Sequence, residues 1–297
     1  MMKKQIDTML GILAGGPVIA FLSFTSNWTV PMVLGISTMP LYDRHLWRLD
    51  LALFQGVPIT AMFREWLVVH AAVFGALQFV YELLYCLMVM LFLLACTHPE
   101  KLPIRTALIY LLATAPLGGL AYLLCPAQGP MFAFGIGDPG AVAFVTNYGK
   151  VGHPINATPS LHMTWALLLA LAGRRFGKWP ARLMVCFVIG TALATVGVCE
   201  HYVSDLIVAM PFALLITAID ERRLVRGLAA GALVIVWQVS IRFMPLTTDL
   251  FPVLIALAAV CGVQMFCDKP ALAGRATNKR VKFPRRDAYS CKDFVKS

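Results

Sequence analysis

Two short stretches carry residue types suited to chemistry: Asn156-Ala157-Thr158-Pro159-Ser160-Leu161-His162 and Glu200-His201-Tyr202-Val203-Ser204-Asp205. Each stands at the edge of an apolar run. A histidine that attacks phosphorus, a carboxylate that orients its ring and a second histidine that trades protons with the leaving group are the parts of phosphoryl transfer through a covalent phosphohistidine. In the second stretch an i, i+4 spacing puts His201 and Asp205 on one helix face. Asp205 can then keep one ring nitrogen protonated and leave the other as nucleophile. In the first stretch Thr158 reads as an N-cap and Pro159 as the first helical residue. The backbone N–H groups freed at such a start, helped by the macrodipole, suit a phosphate, and His162 falls in the first turn. Taken singly, each stretch has a plain alternative: a structural His–Asp pair closing a helix end, or an interfacial histidine. Joined by one helical hairpin, the two histidines converge on the same membrane face.

The elements that must hold them there are membrane spans. Hydrophobic residues make up 59% of the 297 and charged residues only 13%, where a soluble domain is about a quarter charged. Mean hydropathy is +0.76. Uncharged runs cover residues 8–42, 106–137, 183–199, 206–219, 227–241 and 250–267, and 66–97 is broken only by Glu82. A bilayer core asks for roughly 20 apolar residues per helix, and runs without alternation argue against barrel strands. The sequence therefore predicts an all-α, polytopic integral membrane bundle of about eight spans, near 9–30, 70–96, 104–124, 159–174, 181–199, 204–220, 227–243 and 250–267. The first run is awkward: as one helix it would reach ~52 Å, too long for one straight crossing. A tilted helix followed by an interfacial piece, with Asn27 and Trp28 near the water boundary, fits it best. No cleavage signature follows it, so it reads as an anchored helix.

With the N-terminus inside, 20 of the 25 Lys and Arg residues fall on the cytoplasmic side. Arg44, Arg48, Arg64, Lys150 and Arg242 are left outside. The positive-inside rule selects this orientation, which puts both termini in the cytoplasm and the chemistry on the extracytoplasmic face. Residues 1–267 read as one membrane-embedded catalytic domain, and 268–297 as a basic, solvated tail drawn to anionic headgroups. Nothing else in the chain supports a nucleic-acid partner. The eight cysteines have no CxxC or zinc spacing and read as packing residues. No Walker loop or HExxH motif is present, so neither a metal nor a cofactor is expected.

At these residues the chain resembles the type 2 phosphatidic acid phosphatase superfamily. It looks closest to the branch of fungal inositol phosphorylceramide synthases, with Pro159-Ser160-Leu161-His162 where the phosphatases usually show Pro-Ser-Gly-His. The resemblance spans residues 102–218 and implies a six-helix core. It assigns proton donation to His162, attack on phosphorus to His201 and orientation of that nucleophile to Asp205. Two departures stand out. Thr195 occupies the place of an arginine six residues before the nucleophilic histidine, and Cys125-Pro126-Ala127-Gln128-Gly129-Pro130 stands without a cation where a Lys and Arg-Pro motif is usual. Candidate phosphate contacts are then Lys150, His153, Arg44, Arg48 and Arg64, each also readable as an interfacial charge. Ser160, Gln128 and Asn156 could add neutral hydrogen bonds.

A site poor in cations suits a singly charged phosphodiester better than a dianionic monoester. The expected activity is metal-independent transfer of a phosphate-containing headgroup, of sphingolipid or phospholipid type, from a phospholipid donor to a lipid alcohol. The alternative is a phosphatase acting on phosphatidic acid- or polyprenyl-phosphate-like substrates with water as acceptor. A lipid transporter is the non-enzyme reading, against which no pair of similar interrupted helices stands out. Glu82, amid Gln78, Tyr81 and Tyr85, reads as a buried polar tie or as lining for the acceptor route. Phe132, Phe134 and Phe144 read as water-excluding or loop-anchoring aromatics.

Overall fold

The computed structural model describes residues 41–135, 155–243 and 250–267. The span expected at 9–30, Lys150, His153, Phe144 and the basic tail lie outside the described residues. Those residues are helical throughout their regular structure, with no strand among them. Two helices come first, α1 (Asp43–Leu53) and α2 (Ile59–Val69). The long apolar elements follow: α3 (Ala71–Thr97), α4 (Ile104–Leu112) running into α5 (Thr114–Leu124), a short α6 (Pro130–Phe134), α7 (Leu161–Gly173), α8 (Lys178–Gly197), α9 (Val203–Glu221), α10 (Leu224–Phe243) and α11 (Leu250–Cys267). Six of these, counting α4–α5 as one, are long and apolar enough to cross a membrane.

Local sequence explains where they differ from expectation. The span expected unbroken over 104–124 divides at Ala113, because Pro116 has no N–H to return to the Leu112 carbonyl. Thr114 steadies the junction by donating its hydroxyl to the Tyr110 carbonyl at 2.7 Å. The span expected at 159–174 is shorter: α7 has thirteen residues and is continued by a 3-10 turn, Arg174–Phe176. Eleven of those thirteen are buried, as a helix apolar on every side requires.

Position in the bundle follows burial. In α9, 67% of the most apolar window is buried, against 28% in α8 and 22% in α11. α9 is thus the central helix, packed by α7, α10 and α11. Its Pro211 costs one backbone bond inside that packing. α8 and α11 turn Leu183, Ile189, Val260 and Val263 outward, where lipid replaces water and apolar exposure carries no penalty. α1 is amphipathic: it buries Leu46 and Leu49, but also Asp43 and Asp50. Those two acids lead to the functional end of the bundle, where the starts of α7 and α9, the end of α5 and the first half of α3 meet.

Candidate active site

Backbone bonds knit three sequence-distant stretches into one floor. Ala157 N–H donates to the Ala127 carbonyl (3.1 Å), Ser160 N–H to the Asp205 carbonyl (3.3 Å) and Met131 N–H to the Cys199 carbonyl (2.8 Å). α7 begins two residues later than its Thr-Pro pair suggests. Ser160 is the N-cap, its hydroxyl oxygen accepting from Met163 N–H at 3.3 Å. Thr158 and Pro159 lie before the helix, joined by a cis peptide bond. The N-cap expected at Thr158 is therefore corrected to Ser160, whose side chain serves the helix start.

His162 is the second residue of α7 and His201 lies in the bend before α9, their ring centroids 6.0 Å apart. Both are buried. His201 Nδ1 lies 2.7 Å from the Ala157 carbonyl oxygen. A carbonyl can only accept, so Nδ1 carries the hydrogen and Nε2 keeps its lone pair. Asp205 Oδ2 stands 3.7 Å behind the same nitrogen and accepts the Tyr202 N–H at 2.8 Å. Sequence spacing placed His201 and Asp205 on one helical face; in the structure His201 precedes α9, and Asp205 reaches back as part of a capping box.

α1 supplies what sequence reasoning missed. Asp43 accepts from Gln128 N–H (3.0 Å), Gly129 N–H (2.9 Å) and the Tyr202 hydroxyl (2.9 Å). Asp50 accepts from Val203 N–H (2.8 Å) and Ser204 N–H (3.0 Å). One acid thus holds the Cys125–Pro130 loop and the other the start of α9. Burial pushes the Asp43 carboxyl up to about 6 and the Asp50 carboxyl up to about 7, with these hydrogen bonds holding back part of the rise. Spacing held the signal: Asp43, Leu46, Leu49 and Asp50 fall on one helical face.

Gly129, with φ at 91°, presses on the Glu200 carbonyl, leaving no room for a Cβ. Behind His162 stands α3. The Tyr81 ring stacks on the His162 ring with centroids 4.1 Å apart. The Tyr81 hydroxyl lies 3.2 Å from His162 Nδ1 and donates to Glu200. The Tyr85 hydroxyl lies 3.4 Å from His162 Nε2. Glu82 is exposed on the same helix, and the tyrosines expected to satisfy it turn to His162 instead. The buried tie read from sequence is corrected accordingly.

The remaining candidates divide. Gln128 is buried, and its N–H is taken by Asp43. Asn156 is half-buried beside Ala157. Arg44 and Arg48 are exposed on α1. Arg64 is drawn to the Gly197 carbonyl at 3.5 Å and lies over the Phe74 ring. Thr195, in the place of the usual arginine, is buried and donates to the Thr191 carbonyl at 2.6 Å. Arg242, a cation not considered as a ligand from sequence, reaches the Leu124 carbonyl at 3.5 Å near the same loop. Phe134 packs on Trp47 with ring centroids 5.3 Å apart.

This arrangement can place a nucleophilic imidazole nitrogen and a proton-carrying imidazole on opposite sides of a small tetrahedral group. A family model described as PAP2 superfamily matches residues 44–219, from α1 into α9 and across both histidine stretches. It begins well before the core read from sequence at 102–218. Comparisons with curated proteins and with solved structures gave no match.

Proposed function

The chain belongs to the PAP2 superfamily, and on that premise we propose that it is a membrane-integral lipid phosphotransferase working through a phosphohistidine. Membership supports a phosphatase- or phosphotransferase-type activity on lipid phosphate esters; the transferase assignment is our reading. The observation that carries it is His201, whose Nδ1–H is fixed on a backbone carbonyl so that Nε2 keeps its lone pair, with the His162 ring 6.0 Å away.

In the first step His201 Nε2 attacks phosphorus and the ester P–O bond breaks. The departing alkoxide takes a proton from His162. In the second step His162 takes a proton from an acceptor hydroxyl, whose oxygen attacks the phosphohistidine. The P–N bond breaks and the resting state returns. Ala157 and Asp205 stabilise the positive charge that grows on His201.

The electrostatics favour a diester donor. The loop that replaces the usual basic motif is held by a carboxylate, Asp43, and Asp205 stands behind His201. A loop without its usual cations, held instead by a carboxylate, disfavours a dianionic monoester more than a singly charged diester. The active site is read as extracytoplasmic from the Lys and Arg distribution.

A competition assay tests the assignment. Purified protein receives a phosphodiester lipid, phosphatidic acid and a lipid alcohol such as ceramide or diacylglycerol, and products are separated by mass. A new phosphodiester lipid is expected. Release of inorganic phosphate from phosphatidic acid, with no transfer product across a panel of alcohols, would establish the phosphatase instead. Turnover is expected to survive EDTA; a loss restored by one divalent ion would overturn the metal-independent mechanism.

A further inference from the structure

Glu200 and Tyr81 have no part in the steps above, yet they form a chain that ends on His162. A phenol has one hydrogen, and that of Tyr81 goes to the Glu200 carboxylate. What His162 Nδ1 meets at 3.2 Å is therefore the hydroxyl oxygen, an acceptor. The Tyr81 ring, stacked at 4.1 Å with planes 20° apart, also presents its electron-rich face to the imidazole. Tyr81 is almost fully buried, at 6% exposure, and Glu200 is half-buried. The whole unit is tied into the floor of the site, since Gly129 packs on the Glu200 carbonyl and Met131 N–H holds the Cys199 carbonyl.

Resting on the phosphotransfer reading, we propose that Glu200, acting through Tyr81, is the positioning residue that fixes the tautomer of His162 and orients its Nε2 towards the leaving group. Proton placement follows from the geometry. With the Tyr81 oxygen 3.2 Å from Nδ1 and able there only to accept, Nδ1 holds the hydrogen and the exchangeable proton of the reaction sits on Nε2, next to the Tyr85 hydroxyl at 3.4 Å. When His162 is doubly protonated, the Glu200 carboxylate polarises the Tyr81 hydroxyl and its field stabilises the imidazolium. When His162 has given its proton to the alkoxide, the same two contacts hold the ring for the return transfer. His162 and His201 thus have separate supports: a carboxylate through a phenol for the acid, a carbonyl and a carboxylate for the nucleophile.

The test exploits the leaving group. An alkoxide needs a proton to depart, whereas p-nitrophenolate does not. Tyr81→Phe keeps the stacked ring and removes only the hydroxyl; Glu200→Gln keeps an acceptor and removes the charge. Each variant is compared with His162→Ala and His201→Ala on an alkyl phosphodiester lipid and on its p-nitrophenyl counterpart. The first-turnover burst of nitrophenolate is recorded alongside steady-state turnover. Both positioning variants are expected to lose about 10–100-fold on the alkyl donor, as for a lost hydrogen bond to a charged group, while keeping the nitrophenolate burst within a factor of two or three of native, as expected when acid catalysis is not needed. Equal losses on both donors, or no loss on the alkyl donor, would overturn the inference. A burst that survives in His201→Ala would instead refute the phosphohistidine reading on which it rests, so the two failures are distinguishable.

Discussion

Replacing Gly129 with alanine sets a methyl group against the Glu200 carbonyl, well inside van der Waals contact, on a backbone at φ 91° and ψ 160°. Two costs separate cleanly. That region of backbone space is close to glycine-only and costs about 1–3 kcal/mol for any other residue. Forcing a methyl into a packed site adds about 1–3 kcal/mol more. Gly56 offers a control with a positive φ of 88° and no steric clash, since a Cβ there meets nothing within 4 Å. Gly56→Ala should therefore lose only the backbone part, about 1–2 kcal/mol. Gly129→Ala should unfold earlier than Gly56→Ala in thermal scans of the detergent-solubilised protein. The methyl can be accommodated only by moving the turn that carries Glu200 and His201, and a displacement near 1 Å can cost ~10²-fold in rate. Turnover should thus fall steeply in Gly129→Ala and hold in Gly56→Ala. Matching melting curves and matching turnover for the two variants would refute the packing of the Cys125–Pro130 loop on the turn that bears Glu200 and His201.

Three further outcomes follow from the same geometry. His201→Ala should abolish turnover, and His162→Ala should cost ~10²–10⁴-fold on an alkyl donor; full activity in His201→Ala would end the mechanism. Asp43 and Asp50 titrate in the folded protein near 6 and 7 against an ordinary 3.8. Their raised values mean that stability is greatest below about pH 4 and is lost as pH rises to about 7. The melting temperature of Asp50→Asn should fall less across that window than that of the native chain, and parallel curves would contradict the buried placement. In a background cleared of accessible native cysteines, a cysteine at Gly140 should react with an impermeant thiol reagent from outside and one at Gly177 should not. The reverse pattern would invert the catalytic face.

Much of the fold was legible because membrane spans announce themselves by composition. The edges of α8 to α11 fall within three residues of those read from the apolar runs. That His162 and His201 meet was legible because one helical hairpin joins the two stretches and returns them to the same end of the bundle. What escaped was mostly tertiary. Asp43 and Asp50 stand in a segment that reads as an outer loop, and their partners are 85 to 159 residues away. Tyr81 meets Glu200 across 119 residues, and an α3 apolar on every face gave no hint which side would turn inward. The Ser160 cap was missed because Thr-Pro is itself a sound helix start, and only the fold decides between them.

The shortness of α7 has a mechanical consequence. Thirteen residues rise about 20 Å, and the 3-10 turn beyond them adds about 6 Å, against a hydrocarbon slab of about 30 Å. Its hairpin partner α8, with twenty residues, is long enough to cross that slab; α7 is not. When the Arg174–Arg175 end rests at one surface, His162 stops short of the opposite one. On the phosphotransfer reading, the length of α7 would then fix how far the two histidines stand from the far surface, and the bilayer's thickness how deep that leaves them. A thicker membrane would draw the histidines away from the plane where lipid phosphates ride, and a thinner one would bring them up to it. The acyl chains of lipids that never react would in this way set how often a substrate is met.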